Sequence, residues 1–110
     1  GRYVYAYIGV QIQSLNLNLR DRFDLEQARG AYVTGVTDAG PADEAGLIPA
    51  LESDGTGGDL IIAIDGRPVQ DTEELIAYLV FNAEVGQTVD LTVVRDGETV
   101  TVPLTLGARP

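Results

Sequence analysis

The chain has 110 residues, a length typical of one domain, and we expect a single domain over residues 1–110 with a core at about 5–106. It contains no cysteine, histidine or lysine, which excludes disulfide bonds, thiolate or imidazole metal sites, and a Ser-His-Asp triad. Its net charge of −10 disfavours nucleic acid and anionic lipid as partners. We therefore predict no nucleic-acid partner, no metal site, no cofactor and no catalytic residue.

A strand is predicted near the start of the chain, over residues 5–13, where Ile8, Val10 and Ile12 share one face and the glutamines the other. The leucine and asparagine residues that follow alternate as in a strand, yet they also fit a helical stripe. For this second segment we favour a loop followed by a short helix near residues 18–23.

The middle of the chain alternates extended segments with turns. A second strand is predicted at 31–36, and a proline begins a short helix, 41–45, that ends at Gly46. Glycine and proline residues mark 48–58 as a loop. The almost uniformly apolar segment 59–64 predicts a strand that is buried on both faces.

The last third of the chain has the clearest local signals. A short extended piece at 67–69 precedes a helix over 71–82, with Asp71 as its N-cap and Glu74 completing a capping box. An Asp-Gly turn at 96–97 predicts a β-hairpin. The hairpin strands are 88–95 and 98–106. Together these elements predict an α+β domain, a partly open antiparallel β-sandwich or barrel of five to six strands capped by two helices.

The segment Tyr7-Ile8-Gly9-Val10 is the first candidate site. Glycine permits close backbone approach and can turn neighbouring N–H groups outward into an anion-binding concavity. If the strand that follows has an open edge, a peptide can pair with it and place its C-terminal carboxylate in this concavity. The alternative is an ordinary strand in which the glycine marks a bulge.

The predicted C-terminal helix carries the second candidate site. Thr72, Ile76 and Leu79 lie at positions i, i+4 and i+7, so they form a stripe along one face. We expect this stripe to border a groove beside the first strand, while Leu75 anchors the helix in the core. For Ile76, a simple core position is an equal alternative. The residues that would wall a pocket for a terminal apolar side chain are Ile8, Val10, Ile76 and Leu79.

The ordered set of motifs resembles a PDZ domain, and more narrowly the circularly permuted bacterial type that follows the protease domain of HtrA-like serine proteases, the trypsin-like DegP/HtrA family. The chain departs from that pattern in two ways. Residues 48–57 are inserted, and the chain carries no protease domain. The matching segments, in chain order, are Tyr7–Val10, Gly30–Val33, Gly40–Ala42, Ala45–Leu47, Gly58–Gly66, Val69, the helix from Asp71, and Val93–Gly97.

The resemblance implies a peptide-binding module excised from a larger protease. It would bind C-terminal or exposed hydrophobic segments of substrate proteins by β-augmentation, as in protein quality control, and present them to an upstream protease domain. An extracytoplasmic location (periplasmic, secreted or membrane-anchored) and a homotrimeric parent are also implied. The implied peptide-binding residues are Tyr7, Ile8, Gly9, Val10, Gln11, Ile12, Thr72, Ile76 and Leu79.

Other functions remain open at this point. The domain could serve mainly in oligomer assembly, through residues 48–57 and a tyrosine face formed by Tyr3, Tyr5 and Tyr7. It could also belong to another protease class, such as a carboxy-terminal processing or intramembrane protease. Catalysis by this chain itself is disfavoured, because its serines and threonines have no histidine or lysine base. The catalytic role would belong to the parent, a serine endopeptidase.

Overall fold

The computed structural model describes residues 6–22 and 29–108. The strands are β1 (Ala6–Tyr7), β2 (Val10–Ser14), β3 (Ala31–Val36), β4 (Leu60–Ile64), β5 (Arg67–Pro68), β6 (Thr88–Arg95), β7 (Glu98–Thr105) and β8 (Gly107–Ala108). The helices are α1 (Leu17–Arg22), α2 (Pro41–Ala45) and α3 (Thr72–Asn82).

One antiparallel sheet dominates the fold, in the order β2-β3-β4-β6-β7, with β5 paired to β4. The two ends of the chain meet in a separate ladder of β1 and β8. Strands β2 and β7 are therefore the outer strands of the main sheet, and the sheet is not closed in the part of the chain that the structure describes. The prediction of a partly open antiparallel α+β fold is confirmed.

The core lies between the inner face of the sheet and helices α2 and α3. Alternate residues of the hairpin β6–β7 point into it, as the hairpin pattern predicts, and Leu75 anchors α3 with no exposed surface. The hairpin residues buried in this core are Val89, Leu91, Val93, Val102 and Leu104. Val94 is buried as well, but in a second cluster with Tyr32 and Leu60. Burial of these apolar side chains is the main source of the fold's stability.

Local capping fixes the ends of both core-facing helices. The Asp71 carboxylate accepts a hydrogen bond from the Glu74 N–H at 2.9 Å, as predicted for an N-cap. The Glu74 carboxylate bonds the Gln70 N–H at 3.4 Å, one residue before the position that a capping box uses. Helix α2 ends at Gly46, whose φ of 86° places it in the left-handed region that glycine adopts without strain.

The predicted strand over residues 5–13 is divided, and this corrects the sequence interpretation. Gly9 has a φ of 70°, so the chain leaves β1 before it and enters β2 after it. The segment pairs with two different partners, since β1 pairs with β8 and β2 with β3. The following segment forms α1, close to the predicted helix, although Phe23 lies outside the described residues, as do Tyr3 and Tyr5.

The loop over residues 48–58, which contains the insertion 48–57, is tied to the sheet by two buried side chains. The Tyr32 hydroxyl donates to the Gly55 carbonyl at 2.6 Å and accepts from the Gly58 N–H at 3.1 Å. Asp59, fully buried, accepts from the Ile48 N–H at 2.9 Å and forms an ion pair with Arg95 at 2.7 Å. The loop has no helix or strand, as predicted, yet its ends are held by specific bonds.

Candidate functional site

The turn between β1 and β2 has its carbonyl groups fixed from within the protein. The Ile8 carbonyl accepts from the Ala42 N–H, and the Gly9 carbonyl accepts from the Thr37 N–H, both at 2.9 Å. Within the described residues, the N–H groups of Ile8 and Gly9 donate no hydrogen bond. Because the carbonyls are bonded inward, two adjacent donors remain for an anion, as in a backbone nest.

The edge of β2 that faces away from β3 is unpaired among the described strands. Ile12 lies opposite Val33, whose N–H and carbonyl bond Asp59 and Ala50 on the other side of β3. In an antiparallel ladder, residues opposite each other either bond each other or both point away. The Ile12 backbone groups therefore point to the open side. The Val10 backbone groups also point to the open side. Bonded and unbonded positions alternate along the strand, and the residue before Val10, Gly9, is a bonded one, since its carbonyl accepts from the Thr37 N–H.

Helix α3 lies beside this open edge and is joined to it by Ser14 and Thr72. The Thr72 N–H donates to the Ser14 hydroxyl at 3.0 Å, and the two hydroxyl oxygens lie 3.1 Å apart. The Thr72 side of α3 therefore faces β2. Further along the helix, Leu79 shares a core cluster with Ile8 and Val10 at the opposite end of β2. Helix and strand run antiparallel, with a groove between them.

The predicted groove residues differ in how far they are buried. Ile8 and Leu79 are buried, at 6% and 7% exposure, and form the floor between strand and helix. Ile76 is 52% exposed, which excludes the alternative of a simple core position. It lies one turn after Thr72 on the same side of α3, as predicted for the groove wall.

Two predicted site residues have no side-chain role that follows from their position. The Gln11 side chain is exposed on the opposite face of β2 from Val10 and Ile12, and its carbonyl accepts from the Thr34 hydroxyl at 3.2 Å. Tyr7 belongs to β1, and its side chain lies outside the described part of the structure. The assignment of these two residues to the site stays a prediction.

The chemistry of the groove comes from its backbone groups and its apolar side chains. Over the described ranges, no group of three or more histidine, cysteine, aspartate or glutamate residues could hold a metal ion. No buried side-chain nitrogen or oxygen in the same ranges lacks a hydrogen-bond partner. The groove instead offers backbone donors, an open strand edge and an apolar floor, which are the elements of a peptide site. None of the described helices is long and apolar enough to cross a membrane.

A second concavity lies on the other side of α3 and was not predicted. It has a volume of about 270 Å³ and includes Val69, Tyr78 and Phe81 in its lining. Sequence reasoning missed it because it forms only where β5 meets α3. The predicted peptide site remains the β2–α3 groove, since strand addition requires an open edge rather than a deep cavity.

The comparisons with known proteins agree with this geometry. The PDZ domain family model matches residues 6–106, and the chain belongs to this family. The structure of the HtrA-type protease AlgW with a decapeptide has a TM-score of 0.82 at 28% identity, over 97% of this chain and 30% of that one. The HtrA3 PDZ domain bound to a phage-derived ligand shows the same fold, with a TM-score of 0.79 at 22% identity over 99% of this chain and 91% of that domain.

Sequence relatives narrow the family further. A probable periplasmic serine endoprotease DegP-like from Marinomonas sp. (strain MWYL1) is 34% identical over 110 residues, covering 100% of this chain and 22% of the relative. The protein of the same name from Pseudomonas fluorescens is 36% identical, over 100% of this chain and 21% of the relative. The chain thus spans about a fifth of these relatives. It is an HtrA-type PDZ domain, and the extracytoplasmic location implied by the resemblance is confirmed.

Proposed function

We propose that this chain captures C-terminal or exposed hydrophobic segments of other proteins by adding them as a strand to β2. The observation that supports this most is the open β2 edge beside a turn with two unbonded N–H groups. An extended peptide gains main-chain hydrogen bonds along such an edge, and its terminal carboxylate gains the stronger, charge-assisted bonds of the turn. The similar AlgW protease was solved with a decapeptide and the HtrA3 PDZ domain with a phage-derived ligand, which supports a peptide as the class of ligand.

The ligand would run antiparallel to β2, with its C-terminus at Gly9. The N–H groups of Ile8, Gly9 and Val10 would hold the carboxylate. The last side chain would enter between strand and helix, over the buried floor made by Ile8 and Leu79 and against the exposed Ile76. Residues further upstream would pass Ser14 and Thr72. The five residues of β2 span about 17 Å, so the groove contacts roughly the last four or five ligand residues.

The role of the module in its parent is the second part of the proposal. The relatives are named as serine endoproteases, and the chain covers about a fifth of each. In such a parent, a captured segment would be presented to an upstream protease domain or would regulate it. The homotrimeric assembly implied by the family resemblance belongs to the same proposal. Catalysis would reside outside this chain, which has no histidine for a Ser-His-Asp triad.

Calorimetry with matched peptides tests the proposal. One peptide ends in a free carboxylate after an apolar residue, and its partner carries a C-terminal amide. Each charge-assisted hydrogen bond is worth about 1.5–3 kcal/mol, so we expect the amide to bind at least about tenfold more weakly. Equal affinities for the two peptides would contradict carboxylate capture by the turn, and no binding of either would contradict the groove as a whole.

A further inference from the structure

The pocket on the far side of α3, which we call the α3 back pocket, is separate from the peptide groove. Its lining includes Ile64, Val69, Ala77 and Phe81, with Arg67 and Tyr78 as polar members. Phe81 follows Thr72 by nine residues, about two and a half helical turns, so the two side chains leave α3 on opposite sides. A ligand in this pocket would contact the helix that borders the groove without entering the groove.

Phe81 gives the first indication that the pocket has an occupant. It is 82% exposed at the last turn of α3, although phenylalanine is usually buried in a folded domain. Next to it, Ala77 and Val69 provide apolar surface that is concave rather than flat. Exposed apolar surface beside a concavity is typical of a site for another molecule.

Arg67 gives the second indication, because its guanidinium is held beside the pocket and forms no ion pair with a carboxylate of the described residues. Its guanidinium carbon lies 5.6 Å from the centre of the Tyr78 ring, a position that holds it beside the pocket. Across residues 6–22 and 29–108, no carboxylate lies within ion-pairing distance of it. The exposed guanidinium therefore has hydrogen-bond donors available for an anionic group.

The nearby acidic side chains are already engaged elsewhere. The two Asp65 carboxylate oxygens accept from the Tyr78 hydroxyl and the Asp90 N–H, each at 2.8 Å. The Glu74 carboxylate, which also lines the pocket, accepts from the Gln70 N–H. Asp65 and Glu74 keep their charge, but these hydrogen bonds direct their oxygens to donors within the protein. The Arg67 N–H groups therefore stay available to a carboxylate from outside.

We propose that the α3 back pocket binds a protein segment that presents a large apolar side chain next to a carboxylate. The apolar side chain would pack against Phe81, Ala77 and Val69, and the carboxylate would pair with Arg67. The volume of about 270 Å³ is below the roughly 300–1,000 Å³ of sites for small molecules, and it suits a single side chain. This site goes beyond the proposed function, since it involves neither the turn at Gly9 nor the open edge of β2.

A titration of the ¹⁵N-labelled chain with two blocked peptides tests the proposal. Both probes are acetylated and amidated, so neither offers a terminal carboxylate to the groove. One has the sequence Gly-Ser-Phe-Asp-Ser-Gly, and the other replaces its aspartate by lysine. We expect the acidic probe to shift the amide resonances of Arg67, Tyr78 and Phe81, and to bind about tenfold more tightly than the basic probe.

Four variants complete the experiment. Arg67→Gln and Phe81→Ser should each weaken the acidic probe about tenfold. The matched controls Arg29→Gln and Val85→Ser lie at exposed positions outside the pocket lining and should leave its affinity unchanged. The Arg29 guanidinium bonds the Gln70 side chain at 2.6 Å, so this control also shows whether loss of a neighbouring arginine contact affects the pocket. Thermal unfolding of each variant verifies that the fold is retained.

Three results would overturn the proposal. The first is the absence of any shift at millimolar probe, and the second is equal binding of both probes. The third is a set of shifts confined to β2 and the Gly9 turn, which would place the probe in the groove. Failure of free-carboxylate peptides to bind the groove is a separate result, because it bears on the proposed function and not on this pocket.

Discussion

The Ser14 hydroxyl accepts a hydrogen bond from the Thr72 N–H at 3.0 Å, which joins the last residue of β2 to the first residue of α3. The two hydroxyl groups also bond each other at 3.1 Å. This contact fixes the width of the groove at the end away from the carboxylate turn. It also gives the first turn of α3 an acceptor in addition to its own N-cap, Asp71.

Replacing Ser14 by alanine should loosen this end of the groove. The Thr72 N–H would lose its acceptor, and we expect a loss of about 1 kcal/mol in the free energy of unfolding. Ser14→Thr keeps the hydroxyl and is the matched control. Urea unfolding measures the change, and an unaltered midpoint for Ser14→Ala would show that the contact contributes nothing to stability.

Ile76 and Leu79 should respond to truncation in opposite ways. Leu79 is 7% exposed, so Leu79→Ala should destabilise the fold by about 2–5 kcal/mol. Ile76 is 52% exposed, so Ile76→Ala should change stability by less than about 1 kcal/mol while weakening peptide binding several-fold. Val85→Ala, at a comparably exposed position outside the groove, is the control for a general surface effect.

Unfolding and calorimetry on the same three proteins separate these outcomes. Unchanged peptide affinity in Ile76→Ala would place the ligand elsewhere on the surface. A large loss of stability in that variant would return Ile76 to the core, against the exposure found for it.

Removing Arg95 should strongly destabilise the fold. Its guanidinium donates to both carboxylate oxygens of Asp59, at 2.9 and 2.7 Å, and Asp59 is fully buried. The hydrogen bond to Asp59 also raises the pKa of Arg95. Arg95→Leu would leave the carboxylate buried without its partner, at a cost of about 3 kcal/mol.

Urea unfolding again provides the measurement, with Arg29→Leu as the control at an exposed site. That control removes one exposed hydrogen bond, from the Arg29 guanidinium to the Gln70 side chain, and should cost about 0.5–1 kcal/mol. If Arg95→Leu is as stable as the control, solvent or another donor must reach Asp59, and the buried pair is not a structural requirement.

Tyr32 should make the fold sensitive to alkali. Burial has the largest effect on the pKa of its hydroxyl and raises it. The hydrogen bond from the Gly58 N–H lowers this pKa by less than burial raises it, and the nearby charge of Asp54 raises it slightly further. The folded state therefore holds the proton more tightly than the unfolded state. This contribution is complete below the ordinary tyrosine pKa of about 10 and is lost as the pH rises through the higher folded value.

Tyr32→Phe should flatten the dependence of stability on pH above about 10. The variant should also be less stable by about 1–3 kcal/mol at neutral pH, because the buried Gly58 N–H loses its acceptor. Tyr78→Phe measures how much Tyr78 contributes to the loss of stability at alkaline pH. The pKa of Tyr78 is raised chiefly by its hydrogen bond to Asp65. An alkaline slope that persists in Tyr32→Phe and disappears in Tyr78→Phe would assign the effect to Tyr78.

Elements that depend on neighbouring residues could be predicted from the sequence. The Asp96-Gly97 turn defines its hairpin locally, and Asp71 marks the start of α3 with its own side chain. The alternating apolar residues of β6 and β7 are buried as their period requires. The segment around Gly9 could be singled out, because a glycine between apolar residues is a local signal, while its binding of a carboxylate stays a prediction.

Features that depend on distant contacts could not be derived in this way. The break at Gly9 reflects the different partners of β1 and β2, and neither partner can be identified from the segment itself. Ser14 and Thr72 are 58 positions apart in the sequence, and no local pattern indicates that they meet. The α3 back pocket likewise arises from the approach of two elements that are each ordinary alone.

Amide hydrogen exchange of β2 tests strand addition most directly. The N–H groups of Val10 and Ile12 point to the open edge, whereas that of Gln13 is paired with β3. We predict that a free-carboxylate peptide slows exchange at Gly9, Val10 and Ile12 and changes Gln13 little. If a saturating peptide leaves Val10 and Ile12 exchanging as fast as in the free chain, no strand has been added to this edge, and the account of the groove is wrong.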